Sequence, residues 1–279
     1  MKNWKVISLG IFIAYLLFAQ SCLRMRTSDS EARKIFKTAG VAIILNNFID
    51  STNALHFAKT GNDSLPTLLF VHGSPGSWNA YEKYLLDIDL CKKYRLISID
   101  RMGFGYSHFN QAQNLQSHSD IINKLLKSID NNKPVYVIGH SYGGPVVANM
   151  AADNARINGI VIIAGALSAT LEEPEKWRKI FINNPLEYLV PGALNPSNKE
   201  LWWLKDDLKV LDKKLNQIHC KVVVIHGTKD QLVPYENTLF MKNNLTAADT
   251  LRIVSITDEN HFIPWNNFEL VKKELMLLE

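Results

Sequence analysis

Three residues far apart in the chain have the types and settings to act together as a nucleophilic unit: Ser141, Asp230 and His261. Ser141 stands in Gly139-His140-Ser141-Tyr142-Gly143, after the apolar run Val135-Tyr136-Val137-Ile138 and before Pro145-Val146-Val147-Ala148. The pattern reads strand, sharp turn, helix, with the serine at the apex of the turn. So tight a turn strains the backbone and presses together the residues two positions either side of the serine, where glycine fits. It exposes the hydroxyl and aims the first amides of the next helix at whatever the serine attacks. Asp230 ends the turn His226-Gly227-Thr228-Lys229-Asp230 after Val222-Val223-Val224-Ile225, and His261 follows Leu251 to Ile256 within Asp258-Glu259-Asn260-His261. Serine, acid and histidine in that order, each just past the end of a separate strand, suit attack on an acyl carbonyl. The serine would be the nucleophile, the histidine would carry its proton, and the aspartate would fix the imidazole tautomer.

Rivals for each role read differently. Asp206, Asp207, Asp249 and Asp258 read as surface carboxylates, and Asp230 is set apart by its turn after an apolar strand. His72 and His226 each precede a glycine at a strand end and read as packed, hydrogen-bonded structural histidines. His140 flanks the serine but is expected to point away from it, and His56, His108, His118 and His219 lie in ordinary settings. No His, Cys or carboxylate cluster has metal-ligand spacing, and Gly103-Phe104-Gly105 lacks the rest of a dinucleotide fingerprint, so neither metal nor cofactor is expected.

The elements that must position these residues are legible as apolar runs. Val41 to Leu45 and Ala54 to Ala58 suit a hairpin at a sheet edge. Leu68 to Val71, Tyr94 to Asp100, Val135 to Ile138, Ile160 to Ile163, Val222 to Ile225 and Leu251 to Ile256 follow as further strands, with helices expected around Tyr81 to Leu90 and Ser119 to Ile129. Strands without polar alternation, separated by helices, predict an α/β fold: a mostly parallel eight-stranded sheet with helices on both faces. Sites in such sheets lie at the carboxyl ends of the strands. Between about 167 and 215 the alternation stops in a stretch holding Trp177, Trp202 and Trp203, which reads as a small helical cap over the strand ends.

With 279 residues, 47% of them apolar, the chain suffices for one large domain, expected over 41–279. The net charge is +4, of which Lys2 and Lys5 supply two, and no basic stripe remains to suggest a nucleic-acid partner. Residues 1–21 read as an export signal: two lysines precede an apolar run, Val6 to Ala19, of about 14 residues, against the roughly 20 that a spanning helix needs. Phe18-Ala19-Gln20-Ser21-Cys22 resembles a bacterial lipobox, which implies cleavage before Cys22, lipidation of that cysteine and a membrane-anchored protein of the cell envelope. An uncleaved signal anchor and plain secretion are the alternatives. Residues 22–40 read as a tether followed by a short helix. Cys91 and Cys220 precede strands about four sheet positions apart, roughly 19 Å, too far for a disulfide, and are expected to be buried free thiols.

Five segments together resemble the α/β-hydrolase superfamily from about Val41 onward: His72-Gly73-Ser74-Pro75-Gly76, Asp100 to Ser107, Gly139 to Gly144, Gly227-Thr228-Lys229-Asp230 and Asn260-His261. The resemblance implies an oxyanion hole made by the backbone amides of Ser74 and Tyr142, with their side chains shaping the pocket. It also implies that the Asp100 to Ser107 turn braces a strand end. Haloalkane dehalogenases and epoxide hydrolases of this fold share the His-Gly-x-Pro segment but use an aspartate nucleophile, so Ser141 argues against both. Hydrolysis of a small-molecule carboxylic ester is the leading expectation. Carbon-carbon bond hydrolysis, amide hydrolysis, acyl transfer and cofactor-free haloperoxidase-like activity are alternatives, as is a catalytically silent binding domain.

Overall fold

The computed structural model describes residues 2–51 and 53–278. Met1 and Glu279, the outer limits of the expected signal segment and catalytic domain, lie outside the described residues. The described helices, in order, are α1 (Lys2–Ser21), α2 (Asp29–Thr38), α3 (Glu82–Leu85), α4 (Ile88–Lys93), α5 (Leu115–Ser128), α6 (Gly143–Asp153), α7 (Leu194–Asp212), α8 (Asn237–Asn244), α9 (Ile263–Asn266) and α10 (Phe268–Met276). The strands are β1 (Ile44–Asp50), β2 (Asn53–Thr60), β3 (Thr67–Val71), β4 (Arg95–Ile99), β5 (Val135–His140), β6 (Gly159–Ile163), β7 (Lys221–Gly227) and β8 (Thr250–Ile256). Among the described residues these eight strands form one sheet in the order β1-β2-β4-β3-β5-β6-β7-β8. β2 pairs antiparallel with both its neighbours, and every other pairing is parallel.

The sheet is buried on both faces, and successive strand residues feed two separate cores. Leu69, Val71, Val137, Ile160 and Ile162 face α5 and α6, while Leu68, Phe70, Ile138, Val161 and Ile163 face the aromatic layer of Trp78, Tyr81 and Tyr84 and helix α10. α5 buries Leu115, His118, Ile122, Leu125 and Leu126, a helical stripe, and Asn114 caps it by accepting from the Ser117 amide at 2.9 Å.

Three boundaries differ from the sequence expectation. The first strand begins at Ile44 and runs on through Asn46 and Asn47, because as an edge strand it half-buries only Leu45, Phe48 and Asp50 and needs no apolar run. The helix expected around Tyr81 to Leu90 is two short ones, since the Asp87 side chain accepts from the Leu90 amide and caps a new start there. Of residues 22–40, expected as a tether followed by a short helix, the helix is α2, which buries Ala32 and Phe36 completely, with Phe36 6.3 Å from the Trp78 ring. The stretch before it is held to the body where a tether was expected, Arg26 Nη1 donating to Gly105 O at 2.9 Å. Capping of α2 by Ser28, which accepts from the Glu31 amide at 3.3 Å, fixes its entry.

All three cysteines are free, and Cys91 and Cys220 are half-buried where burial was expected. Desolvation raises both thiols, Cys220 to about 11, so neither holds an appreciable thiolate population. Helix α1 presents apolar side chains outward over its length, with Trp4, Leu17 and Phe18 more than half exposed. Among the described residues no helix is long and apolar enough to cross a membrane.

Candidate active site

Parallel pairing brings the strand ends level. Val71 of β3 lies opposite Gly139 of β5, and His140 opposite Ile163 of β6, so the chain leaves β3 and β5 side by side. Ser141 follows β5 with φ of 55°, the left-handed region that a serine adopts only under constraint. Its amide donates to Ile163 O at 2.9 Å and its carbonyl accepts from the Gly144 amide at 2.9 Å, which pins the turn from both sides. A Cβ at Gly139 would lie 2.1 Å from the Gly143 carbonyl oxygen, the contact that makes glycine necessary there.

Asp230 and His261 come from the loops after β7 and β8. His261 Nδ1 and Asp230 Oδ2 are 2.7 Å apart, and both residues are buried. The other oxygen, Asp230 Oδ1, accepts from the amides of Leu232 and Val233, each at 2.9 Å. Burial alone would raise the Asp230 carboxyl, but hydrogen bonds from His226, His261 and the Val233 amide outweigh it and hold the group well below the usual carboxylate range. Asp230 is thus a fixed anion behind the imidazole. It keeps Nδ1 protonated and leaves Nε2 as the basic nitrogen of His261.

A cavity of about 1120 Å³ opens over this cluster. Ser74, Ser141, Tyr142 and His261 all line it, and the cap contributes Trp177, Leu194, Ser197, Asn198, Leu201 and Leu204. Ser74 Oγ donates to Ser197 Oγ at 2.8 Å, joining the loop after β3 to cap helix α7. Asp100, in the turn likened to a strand brace, accepts from the amides of Trp78 at 2.7 Å and Tyr106 at 2.8 Å and lies 2.9 Å from His56 Nδ1. Those contacts are with the scaffold.

Two residues of the site escaped sequence reading. His140, expected to point away from the serine, packs its ring 4.8 Å from that of His261 and donates from Nε2 to the His261 carbonyl at 2.9 Å. Burial and the neighbouring His261 lower its pKa to about 3, so it is a neutral donor with a fixed tautomer. Its position next to the serine was the available signal. The other is Met25, which lines the cavity from the N-terminal segment. That segment is held by Arg26, whose Nη1 donates to Gly105 O at 2.9 Å and whose guanidinium lies 4.2 Å above the Tyr106 ring. Nothing in the polar run around Met25 marks it. Cys22 lies outside the cavity, half-buried against the cap, where the Gly192 amide donates to Ala19 O at 2.8 Å and the Ala193 amide to Leu23 O at 2.9 Å.

A family model described as alpha/beta hydrolase fold matches residues 66–189, which hold β3 to β6 and the serine turn. The chain has the α/β-hydrolase fold. Epoxide hydrolase 1 of Caenorhabditis elegans is 29% identical over 165 residues, covering 57% of this chain and 39% of that protein's length. Non-heme chloroperoxidase of Streptomyces lividans is 25% identical over 245 residues, 73% of this chain and 88% of its own. A crystal structure of a membrane phospholipase A, described as a bacterial virulence factor, matches with a TM-score of 0.65 at 16% identity, over 100% of this chain and 98% of its own. These α/β-hydrolase-fold proteins carry different reactions on one scaffold, so the reaction has to be argued from the site.

Proposed function

We propose that this protein is a serine hydrolase that cleaves small-molecule carboxylic esters through an acyl-enzyme on Ser141. The observation that carries the reading is the His261–Asp230 pair at 2.7 Å in a cavity that Ser141 also lines. In the reaction Ser141 Oγ bonds to the acyl carbon as its proton passes to His261 Nε2, and Asp230 stabilises the imidazolium so formed. The carbonyl oxygen becomes an oxyanion held by the amides of Ser74 and Tyr142, and the intermediate collapses as His261 protonates the departing alcohol. Water then repeats the sequence on the acyl-enzyme and releases the acid. One oxyanion donor is commonly worth about 3 to 4 kcal/mol of transition-state stabilisation. Similarity to an epoxide hydrolase does not bring its reaction here, because serine stands where those enzymes use aspartate.

A fluorophosphonate probe tests the reading. Wild type is expected to label and to hydrolyse nitrophenyl esters, with Ser141→Ala unlabelled and about 10⁴-fold or more slower. Folded wild type that fails to label would point to a silent binding domain. Labelling that survives Ser141→Ala would move the nucleophile elsewhere. Faster turnover of amide or dienone substrates than of esters would change the bond cleaved.

The reading extends to location: a bacterial envelope membrane, reached through a lipid on Cys22 or through α1 left in place. The lipobox-like sequence and the outward apolar side chains of α1 support it, and a membrane phospholipase A of the same fold is a precedent along the whole chain. Radiolabelled palmitate is expected to enter wild type and not Cys22→Ala; equal incorporation would remove the lipid claim.

A further inference from the structure

Among the described residues, the most heavily hydrogen-bonded charged side chain lies outside the proposed triad. Arg101 is completely buried just past β4, and its guanidinium reaches in two directions. Towards the loop after β3, Nε donates to His72 O and Nη2 to Gly73 O, both at 2.9 Å. These are the two carbonyls immediately before Ser74. Towards the cap, Nη1 and Nη2 donate to the two carboxylate oxygens of Glu200 at 2.7 and 2.8 Å. Glu200 belongs to α7 and is also completely buried, with the Arg101 charge overcoming the burial that would otherwise raise its carboxyl. The guanidinium carbon of Arg101 lies over the Tyr142 ring, 4.5 Å from its centroid, and His118 Nε2 closes the cluster at 3.0 Å from Nη1.

Arg101 therefore touches the residues around both amides assigned to the oxyanion hole, and its counter-charge comes from the cap. Burying such a pair is a poor route to stability, since desolvation of both ions offsets their attraction and apolar replacements of similar volume are often neutral or stabilising. What the bidentate fork supplies is geometry. The same helix that carries Glu200 lines the cavity with Leu194, Ser197, Asn198, Leu201 and Leu204, and Ser197 bonds Ser74 directly.

We propose that Arg101 is a positioning residue that ties the oxyanion loop to cap helix α7 through Glu200, so that the placement of the cap sets the alignment of the Ser74 and Tyr142 amides. The proposal rests on the serine-hydrolase reading above. The cap thereby does more than shape the acyl pocket: a substrate that seats α7 correctly also aligns the donors for its own transition state.

The test is the double variant Arg101→Met/Glu200→Met, which removes both charges together and leaves neither unpaired. Misaligned donors are lost mainly in the transition state, so kcat for a nitrophenyl ester is expected to fall about 10- to 100-fold with KM within about twofold. The rate of fluorophosphonate labelling should fall in parallel, because the phosphonyl oxygen uses the same amides. A purely structural cap contact would instead raise KM, through the pocket wall, or lower Tm with kcat unchanged, and either result overturns the proposal. Should the double variant not fold, Glu200→Gln, which keeps the shape and removes the charge, reads the same split, and wild-type kcat there overturns it. Wild type that neither labels nor hydrolyses any ester would overturn the hydrolase reading itself, which separates that failure from failure of the coupling.

Discussion

His140 would serve the proposed reaction without touching the reacting atoms. Its Nε2–H holds the His261 carbonyl and its ring supports the His261 ring, while the Trp265 ring meets it edge-on at 5.2 Å. His140→Phe keeps a flat ring and loses the hydrogen bond. With a net value of about 1 kcal/mol for such a bond, kcat for a nitrophenyl ester should drop about fivefold with KM unchanged. An unaltered kcat in steady-state kinetics would show that His261 needs no such support. The serine, aspartate and histidine could be selected from the sequence because each directly follows an apolar strand, and the glycines around the serine announce the turn by their size. His140 could not be assigned a part, because its partner is a backbone carbonyl more than a hundred positions away. Glu200 was hidden for a related reason. It sits in a helix rich in lysine and aspartate, where a carboxylate reads as solvated until the fold brings Arg101 to it.

At the scale of elements, the strands were readable because both faces of the sheet are covered, which leaves almost no polar residue in them. In the N-terminal segment the short helix was readable, but its packing was not. α2 shows only two fully buried residues, too few for a clear helical stripe, yet both enter the aromatic core beside Trp78. Phe36→Ala should therefore cost about 3 to 5 kcal/mol, the range for a buried phenylalanine, as measured by urea denaturation. A loss below about 1 kcal/mol would show that α2 adds nothing to the core. The cap was legible as an interruption of the strand-helix rhythm, whereas its internal form, short turns leading into one long helix, was not.

For the whole molecule, buried histidines set the response to acid. Desolvation is the leading cause that lowers His72, His118 and His140, the last to about 3. In the unfolded chain each titrates near 6.5, so below that pH the unfolded state binds protons that the folded state refuses. Stability is thus fully present above about pH 6.5 and falls as the pH drops, by up to about 1.4 kcal/mol per pH unit for each histidine. Asp230 adds a second loss further down: its depressed carboxyl contributes in full above the unfolded value of about 3.9, and that contribution is lost progressively as the pH falls below it. Thermal melts should show Tm falling between pH 7 and pH 5, with a shallower fall in His140→Phe. A Tm flat across that range would show that these rings accept protons in place.

Met25 sits three residues after Cys22 and forms part of the cavity wall. On the attachment proposed at Cys22, an enzyme that borrows a piece of its pocket from its own mooring would change when cut loose. Proteolytic shedding just beyond Arg26 would free a catalytic body with a breached wall and a wider entrance. The released and tethered forms would then differ in the acyl length they prefer, and attachment would act as a selector of substrate as well as an address.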